Sequence, residues 1–157
     1  MSLAERPSPS DPPGTAALRR RHRARVAEAA LWLVAARLLV SFVPLARWQS
    51  TLGQRVPPDA PMPAPGEEQA LRSRRAGRAV ERAARLLPLE LKCLPRAMAL
   101  QWMLRRRRIA SRLMIGILPA GQRGSVDDLH AWVISGTDIV IGELPLPHRT
   151  VLALQCG

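Results

Sequence analysis

Hydrophobic residues change their spacing once in this chain, near Ala110, and that change constrains the fold more than any other feature. Before it, apolar residues recur at helical spacing; after it, they fall into short strand-like runs. Helices followed by strands, in a chain the length of one domain, imply an α+β architecture. Prolines divide the first part, because proline cannot continue a helix. The first block, "AALRRRHRARVAEAALWLVAARLLVSFVPL", is ended or kinked by Pro44. Leu31, Val34, Ala35, Leu38 and Phe42 are its expected apolar face, with Arg37 opposite. The Pro-rich stretch "VPPDAPMPAPG", residues 56–66, reads as a loop. A second helix is expected from Glu67 to about Leu87, carrying Leu71, Val80 and Leu86 and stopped by Pro88. A third runs from near Cys93 to about Arg107, with Leu94, Ala97, Met98, Gln101, Met103 and Leu104 as its body. Leu113–Leu118, "LHAWVIS" and "DIVIGEL" then read as three strands, with "QRGSVDD" as a loop. Residues 1–15 read as a disordered tail and 16–157 as one domain. Within that domain 16–55 is an N-terminal helical part and 67–157 carries the chemistry.

The composition is 47% hydrophobic but only 3% aromatic, so an aliphatic core is expected. The net charge of +12 comes almost wholly from arginine. That charge suits nucleic acid, an anionic membrane surface, or an acidic peptide or protein partner. High Arg, Ala and Pro is also what a GC-rich gene encodes. No motif with aromatic platforms is present, so nucleic acid is not an expected partner. Arg105–Arg108 closes the third helix, where positive charge complements the helix dipole or offers a site to an acidic peptide or phosphate. The apolar part of the first helix is near the lower length limit for a membrane span and is interrupted by Glu28 and Arg37. A packed or partner-binding helix is expected there, with weak membrane-surface association as the secondary reading. Two cysteines are too few for a disulfide framework, and no secretory signal is visible, so a cytoplasmic location is expected.

Cys93 stands at or just before the start of the third helix, because Pro95 suits a first turn. That end carries partial positive charge, which stabilises a thiolate. The plainer alternative is a buried, inert cysteine. Of three possible bases, His22 lies among arginines, His148 follows two prolines in an apparent loop, and His130 stands inside the second strand. A turn at "ISGTDI" pairs Ser135 with Asp138 and, in the same register, His130 with Glu143. Facing residues have Cβ atoms about 4.5–5.5 Å apart, so Glu143 is placed to orient the imidazole. Asp128 and Asp138 compete for that role, Asp138 from too far along the strand. A one-residue bulge would turn Glu143 to the other face. No close Cys/His set suggests a metal.

Cys93-Leu94-Pro95-Arg96, Ile115-Gly116 and His130-Ala131-Trp132-Val133 together resemble the transglutaminase-like cysteine peptidases of lasso-peptide biosynthesis. The likeness runs from about Ala24 to Leu154, and the apolar first helix leading to Leu52-Gly53 also fits. It implies a transglutaminase-like, papain-like fold: N-terminal helices packed on a small antiparallel sheet, with the nucleophile at a helix N-terminus. It implies no cofactor and a Cys93–His130–carboxylate triad that removes the leader from a ribosomally made precursor peptide. The family's third residue is usually Asp; here the matching position is Glu143, after one apparent extra residue in the turn. A separate leader-binding protein and an ATP-dependent lasso cyclase are the implied partners. The first helix and the arginine surface would dock the leader, its binding protein or the cyclase. The alternatives are acyl transfer to an amine by the same triad, and a catalytically inactive transglutaminase-like adaptor.

Overall fold

The computed structural model describes residues 15–122, 124, 128–143 and 147–157. Helix α1 spans Thr15–Phe42, α2 Leu45–Leu52, α3 Glu67–Leu86 and α4 Cys93–Arg106. Strands β1 Gln54–Arg55, β2 Ser111–Ile117, β3 Leu129–Ser135, β4 Asp138–Ile141 and β5 Arg149–Cys156 form one antiparallel sheet in the order β1-β5-β2-β3-β4. The architecture is α+β, as the single change of period implies.

Helix α4 is the centre of the molecule. Its residues from Ala97 to Leu104 are all buried, as expected of a helix covered on every side. Pro95 sits in its first turn, where a missing N–H costs no hydrogen bond. Arg105 and Arg106 occupy the last turn, where their charge complements the negative end of the dipole. α4 packs on α1 and α3 and against the sheet. Leu113, Ile115, Ala131, Val133 and Leu154 supply the sheet's share of the core. Buried Gln101 on α4 donates to Leu52 O (2.9 Å) and Leu154 O (3.1 Å) and accepts from Ser111 Oγ (3.1 Å). One side chain thus fastens the end of α2, β5 and β2 to the central helix.

The Pro-rich loop is a strap rather than a free linker. Arg112 is buried and donates to Pro58 O (2.6 Å) and to Ala60 O. At the other end Gly136 adopts φ +62°, and a Cβ there would lie 2.5 Å from Pro65 Cδ. The loop therefore runs from β1 past Arg112 to the β3–β4 turn before entering α3. The basic run closing α4 is also structural: Arg105 donates to Ser50 O (3.2 Å) and Thr51 O, and Arg107 to Glu28 Oε2 (2.5 Å).

Several expectations need correction. α1 buries Ala29, Leu33 and Ala36, not the stripe named from the sequence. Leu31 is 73%, Leu38 53% and Phe42 79% exposed, so most of that stripe faces outward, while its Ala35 packs against the core. α3 buries a small-residue face around Ala76, Gly77, Val80 and Ala83 and leaves Leu71 and Leu86 exposed. α2, β1 and β5 were not anticipated, and β4 stops at Ile141. The expected tail lies outside the described residues except Thr15, which is helical. Most of the expected "QRGSVDD" loop also lies outside the described residues. Among the described residues no helix is long and apolar enough to cross a membrane.

Candidate active site

Cys93 is the first residue of α4, and Lys92 before it makes no side-chain cap. The amides of the first turn are therefore not taken up by a capping side chain, and their partial positive charge is left to act on the sulfur and on anything bound beside it. The thiol is partly exposed and lies 3.8 Å from Leu129 O on β3. Cys156 is its opposite. It is buried on β5 beside Ser111 Oγ (3.3 Å), and burial pushes its thiol pKa up, which suits an inert core residue.

Cys93 and His130 line one cavity of about 380 Å³, together with Glu81, Arg96, Gly142 and Glu143. β3 brings His130 there because its alternate residues Ala131 and Val133 are buried in the core. His130 Nε2 is 2.7 Å from Gly142 O. A carbonyl only accepts, so Nε2 carries a proton, and Nδ1 is the nitrogen that a neutral ring leaves available.

The register expected for His130 and Glu143 is not the one adopted. Ser135 faces Asp138 and Ile134 faces Ile139 as anticipated, but Val133 then faces Ile141. Val140 is a one-residue bulge, and the ladder stops before either His130 or Glu143 joins it. The imidazole is held by the Gly142 carbonyl, while the Glu143 side chain is a wall of the same cavity. Of the rival carboxylates, Asp138 is paired with Arg74 at 2.6 Å. Asp128 accepts from Gly124 N at 2.9 and 3.0 Å.

Trp132, His148, Gly116 and Arg96 also surround the site; the sequence assigned none of them a chemical role, although Arg96, Gly116 and Trp132 lie in the quoted motifs. Trp132 stacks on His130 with ring centroids 5.9 Å apart and planes within 12°. His148, read as a loop residue, does lie outside the strands just before β5, and its ring centroid is 5.3 Å from that of His130 because β5 returns the chain beside β2. Gly116 explains how these rings fit: a Cβ there would sit 2.9 Å from the Trp132 ring and 3.0 Å from His148 Cβ. Arg96, one turn after Cys93, reaches Glu81 at 3.4 Å through Nη1, and its buried Nε has no hydrogen-bond partner among the described residues.

A partly exposed thiol at a helix start and an oriented imidazole on the neighbouring strand can perform nucleophilic acyl chemistry. No curated protein and no solved structure matches the chain. A family model described as the transglutaminase-like superfamily matches residues 30–154. Its span runs from within α1 into β5 and takes in both the cysteine helix and the histidine strand, so the chain belongs to the transglutaminase-like superfamily.

Proposed function

We propose that the chain is a cysteine peptidase that removes the leader from a ribosomally made lasso-peptide precursor. The observation that carries the reading is the shared cavity of Cys93 and His130, with His130 Nε2 tied to Gly142 O. Cys93 thiolate attacks the scissile carbonyl, and first-turn amides of α4 stabilise the oxyanion. His130 takes the thiol proton on Nδ1 and gives it to the leaving amine. Water, activated by the same nitrogen, then hydrolyses the acyl-enzyme. The Gly142 carbonyl orients the ring, and the Glu143 carboxylate on the cavity wall balances the imidazolium. The resemblance in the cysteine and histidine segments supports the substrate class. It also supports a separate leader-binding protein, an ATP-dependent cyclase and action in the cytoplasm.

The test is mass spectrometry of a lasso precursor incubated with the protein and a leader-binding partner, with and without the cyclase. Cleavage at one leader–core bond by wild type, absent in Cys93→Ala and His130→Ala, is the expected result. Cleavage by all three proteins, or by none with the cyclase present, defeats the reading. The second of these outcomes favours the adaptor.

A further inference from the structure

Some of the chain's many arginines are paired with carboxylates and others are not. Arg72, Arg74, Arg96, Arg106 and Arg107 each reach a carboxylate. Arg21, Arg25, Arg75 and Arg78 do not; among the described residues no carboxylate pairs with any of them. Instead these four converge, with Leu18 and His22, on one cleft of about 300 Å³ between α1 and α3. Gathering like charges costs folding free energy, so a fold that keeps them together invites an anionic occupant. Arg25 shows the cost: burial, and then Arg75 and the other arginines around it, lower its pKa.

The cleft is amphipathic and has two neighbours. Leu18 and His22 also line an apolar cavity of about 610 Å³ that includes Val26, Ala30, Leu86 and Leu87. Leu18 and Leu86 stand 65% and 67% exposed at its rim. On the other side, Arg78 is shared with a cavity that holds Arg74, Val140 and Glu143. Glu143 in turn lines the cavity of Cys93 and His130. Three adjoining depressions therefore lead from the thiol to the arginines. Near the thiol the track carries Glu81 and Glu143; Asp138 further on is neutralised by Arg74, and past Arg78 only cationic, neutral and apolar groups follow.

We propose that the α1–α3 cleft binds the substrate peptide itself, through an acidic amphipathic segment remote from the scissile bond. Its carboxylates meet Arg21, Arg25, Arg75 and Arg78, and its apolar side chains meet Leu18, Val26 and Leu86. The acidic residues begin beyond the stretch that passes Glu143, which would repel them. Nucleic acid fits less well, because His22 is the one aromatic ring among the described residues lining the cleft and its apolar neighbour, and no Phe, Tyr or Trp stands there to stack successive bases. The proposal rests on the peptidase reading for its substrate but not for its test.

The probe is a fluorescein-labelled dodecapeptide with the repeat Leu-Glu-Glu-Glu, compared with its Gln counterpart by anisotropy at low ionic strength. Wild type and Cys93→Ala should bind the acidic peptide equally, and about tenfold more tightly than the neutral one. Arg21→Gln/Arg25→Gln/Arg75→Gln should lose that preference while its thermal midpoint holds or rises, because repulsion is relieved. A control triple outside the cleft, Arg37→Gln/Arg47→Gln/Arg55→Gln, should keep it. Equal binding of the two peptides, equal loss in both triples, or tighter binding of an oligodeoxynucleotide of the same length overturns the proposal. A chloroacetyl group on either end of the unlabelled peptides asks whether the bound chain reaches the thiol. Cys93 displaces chloride about tenfold faster from the acidic peptide, relative to iodoacetamide, if the cleft belongs to the substrate path. No such advantage would assign the cleft to a partner protein and defeat the proposal. A chain that binds but never cleaves a precursor loses the peptidase reading alone, and one that cleaves without acidic preference loses this one alone.

Discussion

Gly142 is the residue on which the proposed chemistry turns, although it has no side chain to contribute. Its φ of +83° lies in the left-handed region, and a Cβ would approach Ala131 O to 2.7 Å. Gly142→Ala therefore adds strain of roughly 1–3 kcal/mol and displaces the carbonyl that holds His130. The expected result is a fall of about tenfold or more in kcat, with loss of the Nε2–H signature of the neutral ring in ¹⁵N NMR. Full turnover with that signature intact would show that the carbonyl is dispensable. The sequence displayed Cys93 and His130 through local signals, a proline in a first turn and an alternating strand. It could not display the acceptor. Pairing His130 with Glu143 required a ladder without a bulge, and the extra residue at Val140 has no signature in composition. His148 was hidden for a related reason: its place depends on how β5 pairs with β2, far away in sequence.

Among the elements, α1 shows how periodicity misleads. Leu31, Trp32, Leu33, Val34, Leu38 and Leu39 surround the helix, so spacing selects no single face. The buried side is the one where two alanines let α1 lie close to its neighbours around Leu33. Leu33→Ala should then cost about 2–5 kcal/mol in urea unfolding, as for a fully buried leucine. Leu38→Gln should stay within about 0.5 kcal/mol, because that side chain is already in water. Equal costs would mean that the face is wrongly assigned. The limits of α3 and α4 were legible because proline and helix-terminal charge punctuate them. The bulge in β4 answers instead to a tertiary contact. α3 approaches so closely that a Cβ on Gly77 would lie 2.8 Å from Val140 O.

Across the whole molecule, a net charge of +12 is held partly in check by Glu28. Burial alone would raise its pKa. The Arg107 hydrogen bond, with the charges of Arg107 and Arg106, outweighs that and holds the carboxyl below its ordinary value. A depressed carboxyl contributes stability that is fully present above its unfolded pKa, roughly 4.3. That contribution fades as pH falls from there through the lower folded value. Glu28→Gln should accordingly flatten the acid limb of stability against pH, measured by urea unfolding. Superimposable limbs for the two proteins would remove Glu28 from this role.

The strand order also sets a schedule for the newborn chain. β5 lies between β1 and β2, so the strand translated after the other four takes an interior place. Gln54 must wait for Gln155, about a hundred residues later. At ~5–20 residues per second that is on the order of 5–20 s. Through that interval β1 has no neighbour, and β2, once made, keeps an open edge until β5 follows. The thiol at the head of α4 is made well before the strand that brings His148 beside its imidazole, so this site is completed late, when the sheet closes around its last strand.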